Sequence, residues 1–257
     1  MLDTLDEDTR KYRAPALEKG LDVLELLSRH GQPLTPSQMS TMLGRSVSEL
    51  FRMIQVLEFR GYIEPSPDGY RLTNRLFTLG MAQAPAKNLV DTALPLMRDL
   101  AEATTQSCHL VVPSGEQIVV VSRIEAPGDL GYSVRIGYRR NIIEATSGLL
   151  FYGCASPRGR DRLRELLIPL HGRKPVAEFV AAAEAAGAQG YAERQSSFVR
   201  GVTDLVAPIL GTDGIIATLI TPFIERTPPT CDAAEALSRL RRAAGLISAE
   251  VGALSAA

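Results

Sequence analysis

Apolar positions recur at helical spacing through the first quarter of the chain and at strand spacing through its middle. In "PALEKGLDVLELLSRHG", Leu17, Leu21 and Leu24 fall at i, i+4 and i+7 behind Pro15, and Gly31 stands where a C-cap belongs, which predicts an amphipathic helix. "LTPSQMSTMLG" predicts a short second helix: Thr35 is placed to N-cap it, Pro36 takes the first helical position, Gln38 completes a capping box and Gly44 ends it. A third helix starts at Ser46 or Val47 and carries Val47, Leu50, Ile54 and Leu57 up to Gly61. Beyond Gly61 the period changes, and "YIEPSPDGYRLT" reads as a hairpin around Asp68-Gly69.

Three helices with a short second one, a glycine-bearing turn into the third and a trailing hairpin give the order of a winged helix-turn-helix over 15–75, behind a flexible arm of 1–14. The third helix of such a unit lies in the DNA major groove. Residues 76–106 read as helical with breaks at Gly80, Pro85 and Pro95: a linker helix over 76–92, then the start of a second domain over 93–257. "SCHLVVPSG", "EQIVVVSRIEA" and "LGYSVRIGY" read as strands of an antiparallel meander, "VAEFVAAAEAAGAQG" as a helix, "DLVAPILGTDGIIATLITPF" as a hairpin turning at Asp213-Gly214, and Cys231 to about Val251 as a last helix. The fold class is α+β in two domains, the second a mostly antiparallel sheet flanked by helices.

Composition supports this division. A chain of 257 residues, 45% hydrophobic and 22% charged, holds enough apolar material for two cores. The longest apolar runs, such as "IIATLITPFI", stop far short of the roughly 20 residues that span a bilayer. "MLDTLDEDTR" has no apolar region of the kind a signal peptide needs, so a cytoplasmic setting with no membrane partner is expected. Cys108, Cys154 and Cys231 show no C-x-x-C spacing and read as reduced thiols. Cys108 and His109 are adjacent, but neighbours on a strand point to opposite faces, and with three histidines in the chain neither a metal site nor a cofactor is expected. The net charge of −1 hides a mildly basic first third: residues 10–80 carry Lys or Arg at ten positions against Asp or Glu at seven.

On a helical wheel of residues 47–60 the apolar stripe holds Val47, Leu50, Met53, Ile54 and Leu57, with Ser48, Arg52 and Gln55 opposite and Glu49 and Phe51 on the flanks. Arg bonds guanine bidentately, Gln does the same to adenine, and an aromatic ring touches a thymine methyl. Phe51 is therefore a candidate thymine contact, or else folds back on the second helix to extend the core. Phe59, at the far end, is expected to pack on the hairpin. Glu49 either accepts from a cytosine amino group or stabilises the first helical turn. Arg13 and Lys11 in the arm and Arg71 in the hairpin are placed for phosphate. The expected DNA-contacting set is Arg13, Thr35, Ser48, Glu49, Phe51, Arg52, Gln55 and Arg71.

"PALEKGLDVLELL", "LGRSVSELFRMIQVLEFRGYIE" and "YRLTNRLFTLG" together resemble the DNA-binding half of the IclR family of bacterial transcriptional regulators. "VSRIEAPGDLGYSVRIGYRRNIIEATSGLLFYG" and "GVTDLVAPILGTDGIIATLI" resemble that family's effector-binding domain, so the likeness runs over about residues 15–250. It implies a GAF-like second domain, a homodimer or homotetramer on near-palindromic double-stranded operator DNA, and control by a small metabolite such as an organic or aromatic acid. The family's small-residue loop before a pocket helix corresponds to Thr146, Ser147 and Gly148, where free backbone N–H groups at a helix start attract a carboxylate; an ordinary capped helix fits the same residues. Asp204 stands where carboxylate binders of the family often have cysteine, Leu219 and Thr221 replace its Ser-x-Ser, and Arg194 replaces an acidic residue. Arg140 completes the expected effector set of Arg140, Thr146, Ser147, Gly148, Arg194, Asp204, Leu219 and Thr221. Asp204 disfavours a small dicarboxylate unless Arg194 or Arg140 pairs with it, and an Asp204–Arg194 pair could equally be structural.

A regulator without a catalytic step is expected. "SSF", Asp204 and His171 or His109 could in principle offer a nucleophile and base, but no nucleophile elbow, P-loop or dinucleotide fingerprint is present. The alternative is a DNA-bound scaffold whose second domain binds no effector.

Overall fold

Capping signals set the first unit. In this computed structural model, which describes residues 14–81, 84–128, 131–197, 199–227 and 229–255, the chain forms two units, Met1–Gln83 and Ala84–Ala257. The first holds α1 (Pro15–His30), α2 (Pro36–Leu43), α3 (Val47–Phe59), the hairpin of β1 (Ile63–Ser66) and β2 (Gly69–Leu72), and α4 (Arg75–Met81). The expected cap at α2 forms, with Thr35 accepting from the Gln38 amide while Gln38 accepts from the Thr35 amide, and Ser46 and Glu49 make the same exchange at α3. Gly31 and Gly44 end α1 and α2 in the left-handed conformation.

The core of this unit is Val23, Leu26 and Leu27 of α1 against Leu34, Met39, Leu50, Ile54 and Ile63. That corrects three expectations. Helix α1 carries two apolar stripes, and the buried one is not the Leu17–Leu21 stripe: Leu17 is 63% exposed and Leu21 is exposed as well. Val47, at the first position of α3, is exposed because the core reaches only from Leu50 onward. Phe59 does not pack on the hairpin; it is 89% exposed at the C-terminal end of α3.

The second unit runs α5 (Ala84–Thr104), β3 (Cys108–Ser114), β4 (Gln117–Ile124), β5 (Arg139–Asn141), α6 (Thr146–Gly153), α7 (Pro157–His171), α8 (Arg173–Gln189), β6 (Ala192–Gln195), β7 (Val202–Gly211), β8 (Gly214–Ile224) and α9 (Ala233–Ser255). The sheet order is β5-β4-β3-β8-β7-β6, every neighbour antiparallel. Alternation divides the strands between two cores. Cys108, Leu110, Leu205 and Leu219 face α5 and α9, while Val111, Val120 and Val206 face α6 and α8. The stretch expected as one linker helix over 76–92 is divided between α4 and α5, and α5 continues through residue 92 because Ala93, Met97 and Leu100 carry its apolar stripe into the core. Among the described residues no helix is long and apolar enough to cross a membrane.

Two further departures matter for the site. Of "LGYSVRIGY", residues 131–138 form no regular strand and cross the sheet face as an irregular cover, and the pairing strand β5 follows them at Arg139–Asn141; Leu130 lies outside the described residues. Helix α7 has no counterpart in the sequence reading, since Arg158, Arg160, Arg162 and Arg164 interrupt the apolar pattern that would announce it.

Candidate DNA-reading face and ligand cavity

The capping box at Ser46 fixes where α3 begins, and two ion pairs tie that end to α1: Lys19 to Glu49 and Arg45 to Asp22, each at 2.9 Å. Lys19 and the Ser46 groups hold the Glu49 carboxyl down to about 2 from its ordinary 4.5. Glu49 is thus engaged by its own helix cap and by α1. Thr35 likewise spends its hydroxyl on the α2 cap.

Ser48, Phe51, Arg52 and Gln55 stand exposed along one side of α3. Phe51 is 50% exposed and lies outside the buried cluster, so it does not extend the core. In the hairpin, Arg71 lies across from Glu64 and bonds it at 2.6 and 2.7 Å, so its charge is half spent within the wing. The wing tip is held close: Leu34 and Tyr70 exchange backbone hydrogen bonds at 3.0 and 2.9 Å, and a side chain on Gly69 would meet the Leu34 carbonyl carbon at 2.4 Å. Arg13 and Lys11 fall outside the described residues.

The second unit encloses a cavity between the sheet and α6. Its volume is about 50 Å³. Its walls are apolar: Val111 from β3, Ile118 and Val120 from β4, Ile220 and Pro222 from β8, and Val134 from the cover. Polar groups enter from His109, Tyr132, Tyr138, Arg140, Thr146, Ser147 and Asp204.

Of the expected effector residues, Arg140, Thr146, Ser147 and Asp204 line this cavity. The other four do not. Leu219 and Thr221 sit on the opposite sheet face with Leu205, whereas Ile220 and Pro222 face the cavity; a shift of one residue along a strand exchanges the faces. Gly148 serves packing: a Cβ there would lie 1.8 Å from the Ile142 carbonyl oxygen. Arg194 sits across from Asp204 on the edge strand, where its charge acts on the carboxyl, but its Nη2 donates to the Glu144 carbonyl at 2.6 Å, and among the described residues no Asp204–Arg194 ion pair forms.

Asp204 is 8% exposed and accepts from the Thr146 hydroxyl at 2.8 Å. Burial raises its carboxyl above the ordinary range, while Thr146, Arg194 and Arg140 pull it back. Arg140 donates to Ser197 at 2.8 Å and pairs with Glu144 at 3.5 Å. His109, 1% exposed, accepts the Val134 amide on Nε2 at 2.9 Å and lies 3.2 Å from the Ser133 hydroxyl. Burial, with Arg123 behind it, depresses the imidazole to about 4, so it is neutral and keeps Nε2 as an acceptor. The sequence reading set His109 opposite Cys108 but did not follow its face across to Ile118, Val120 and Ile220; that alternation was the signal for the cavity.

Helix α6 is held from behind by α8. A Cβ on Gly153 would lie 2.2 Å from the Ala183 carbonyl oxygen, and one on Gly187 would lie 2.5 Å from that of Gly153. Only glycine at both positions lets the backbones touch, and this contact sets where Thr146 and Ser147 project.

Residues 16–67 match the IclR helix-turn-helix domain. The HTH-type transcriptional regulator KdgR of Escherichia coli K12 is 25% identical, with 96% of each chain covered. Among solved structures, an IclR homolog complexed with 4-hydroxybenzoate from Microbacterium hydrocarbonoxydans matches with a TM-score of 0.74 at 21% identity, over 93% of this chain and 99% of that one. The IclR-type transcriptional regulator from Alicyclobacillus acidocaldarius matches with a TM-score of 0.71 at 22% identity, over 95% and 100%.

Proposed function

We propose, from the chain's membership of the IclR family of bacterial DNA-binding transcriptional regulators, that a small organic acid or aromatic compound bound in the cavity beneath α6 controls how this protein engages an operator. The observation that carries this reading is the pairing, in one chain, of an exposed reading face on α3 with a largely apolar cavity into which a few polar groups converge. Arg52, Gln55, Ser48 and Phe51 read base edges, and Arg71 holds phosphate. No catalytic step is assigned.

The chain acts as a homodimer or homotetramer, a reading supported by Leu17, Leu21, Leu76 and Leu79, apolar side chains that a single copy leaves exposed. Ligand control works by population shift. Ile220 faces the cavity and its neighbour Leu219 faces α5 and α9, so a displacement of β8 on ligand arrival is felt by α5, the helix that begins where the DNA-binding unit ends. A second reading, a DNA-bound scaffold without an effector, is favoured by the small room inside the cavity; a ligand-induced rise in melting temperature counts against it.

Selection of bound duplexes from a random library at two salt concentrations tests the reading. A near-palindromic motif that Arg52→Ala degrades is the expected result. Equal binding of all sequences by the parent and the variant would overturn it.

A further inference from the structure

On the premise that this cavity is where the regulator takes its effector, we propose that it selects a compact neutral molecule that gives a hydroxyl hydrogen to Asp204 and lays an apolar body against the walls, and that it rejects carboxylates. Among the polar groups that face the space, Asp204 offers an acceptor. Asp204 is buried at the cavity wall and receives one hydrogen bond, from Thr146. A carboxylate has four lone-pair sites, so Asp204 retains acceptor capacity toward the interior.

The donors nearest Asp204 that a ligand carboxylate would call on are engaged elsewhere. Thr146 spends its hydroxyl hydrogen on Asp204, Arg194 bonds the Glu144 carbonyl, and Arg140 bonds Ser197 and Glu144. Both guanidinium groups act on Asp204 through their charge while these hydrogen bonds go to Glu144 and Ser197. The His109 Nε2 is filled by the Val134 amide. Ser147 leaves a hydroxyl at the wall, which serves an alcohol as readily as an anion.

Charge then decides between ligand classes. Burial works against the charged form of Asp204, but the Thr146 hydrogen bond and the Arg194 and Arg140 charges favour it, and an anion placed against that carboxylate meets like charge in a desolvated space, where Coulomb energies are several times those in water. A cation gains from Asp204 but meets Arg140 at the wall, and the charges of Arg140 and Arg194 already act on Asp204. A neutral hydroxyl avoids both penalties and supplies the missing donor, and hydrogen bonds to an ionised acceptor are stronger than neutral ones. Tyr132, whose phenol is pushed up by burial and by Asp204, remains a protonated partner for the same ligand oxygen.

Phenol, benzoate and benzylamine share one ring and differ in this group alone, so they serve as probes in isothermal titration calorimetry and melting experiments on the full chain. The parent should bind phenol at least about tenfold more tightly than either of the others, a difference of the size that a charged hydrogen bond gives. In Asp204→Asn, which keeps an acceptor for Thr146 and loses the charge, benzoate should approach phenol to within about threefold. If that variant does not fold, the comparison on the parent decides alone. Benzoate or benzylamine binding the parent as tightly as phenol overturns the selection and leaves ligand control standing. No binding by any of the three, with the affinity for selected DNA unmoved by them, overturns the selection and counts against ligand control as well.

Discussion

The Val134 amide donates to Nε2 of His109 across 2.9 Å, which joins the cover over the cavity to the central strand beneath it. The bond needs an imidazole without a proton on Nε2. Burial provides that by holding the group near 4 rather than 6.5.

Stability should therefore depend on pH through His109. The unfolded chain takes up this proton below about 6.5 and the folded chain only below about 4, so the contribution is complete above 6.5 and is lost as pH falls toward 4. At about 1.4 kcal/mol per pKa unit, about 3 kcal/mol is at stake. Urea unfolding of the parent should lose that much more between pH 7 and pH 4 than His109→Gln, which keeps an acceptor for Val134 and does not titrate. Parallel pH profiles would falsify the assignment.

On α3, the exposed guanidinium of Arg52 and the half-exposed ring of Phe51 should separate by what they read. Arg52→Ala is expected to relax specificity at one base pair at a cost of about 1–3 kcal/mol. Phe51→Ala should leave the melting temperature nearly unchanged, since the ring lies outside the core, while removing a preference for thymine at a neighbouring position. Competition binding with single-base operator variants resolves the two.

The wing should respond to its own carboxylate. Because Glu64 holds Arg71 at 2.6 Å, Arg71→Ala should weaken all DNA evenly and only modestly, and Glu64→Gln should tighten all DNA. An unchanged affinity in Glu64→Gln, measured at low salt, removes Arg71 from the phosphate contacts.

Neighbouring residues on β8 should have unlike effects. Leu219→Ala opens a hole beside α5 and α9 and should cost about 2–5 kcal/mol without altering ligand preference. Ile220→Ala enlarges the cavity and should change which ring-bearing probes bind. Calorimetry on both variants checks the pair, and altered preference in Leu219→Ala would contradict the assigned faces.

The α6–α8 crossing should tolerate no side chain. Gly153→Ala places a methyl group against backbone atoms that cannot rotate away, so about 1–3 kcal/mol or more of stability should be lost, together with probe binding. A variant that keeps the parent's melting temperature shows that the helices can separate there.

Most of the DNA-binding unit was legible in the sequence, because its boundaries are written in local chemistry: Thr35 with Gln38, Gly31 and Gly44 at helix ends, and Asp68-Gly69 in the hairpin. Which apolar stripe of α1 turns inward was not, since Leu17 and Val23 are equally apolar and only the tertiary partners choose between them. The cavity was half legible. Thr146, Ser147, Arg140 and Asp204 line it, whereas Leu219 and Thr221 lie on the other sheet face and their neighbours Ile220 and Pro222 face it, because strand alternation makes a shift of one position an exchange of faces. The cover over 131–138 misled because its β-branched and aromatic residues match a strand, while its backbone bonds go to a histidine side chain and to single strand positions. Helix α7 went unread because its arginines hide its apolar side.

The close approach of Gly69 to Leu34 has a consequence for the operator. With the wing tip bonded to the residue just ahead of α2, the hairpin cannot lengthen or shorten its reach independently of the helices. The adjustment demanded by an imperfect site then falls on the duplex, through its groove width and its readiness to bend. Flanking base steps that deform easily should be favoured even where no side chain touches them, so the protein's sequence preference extends beyond its footprint of contacts.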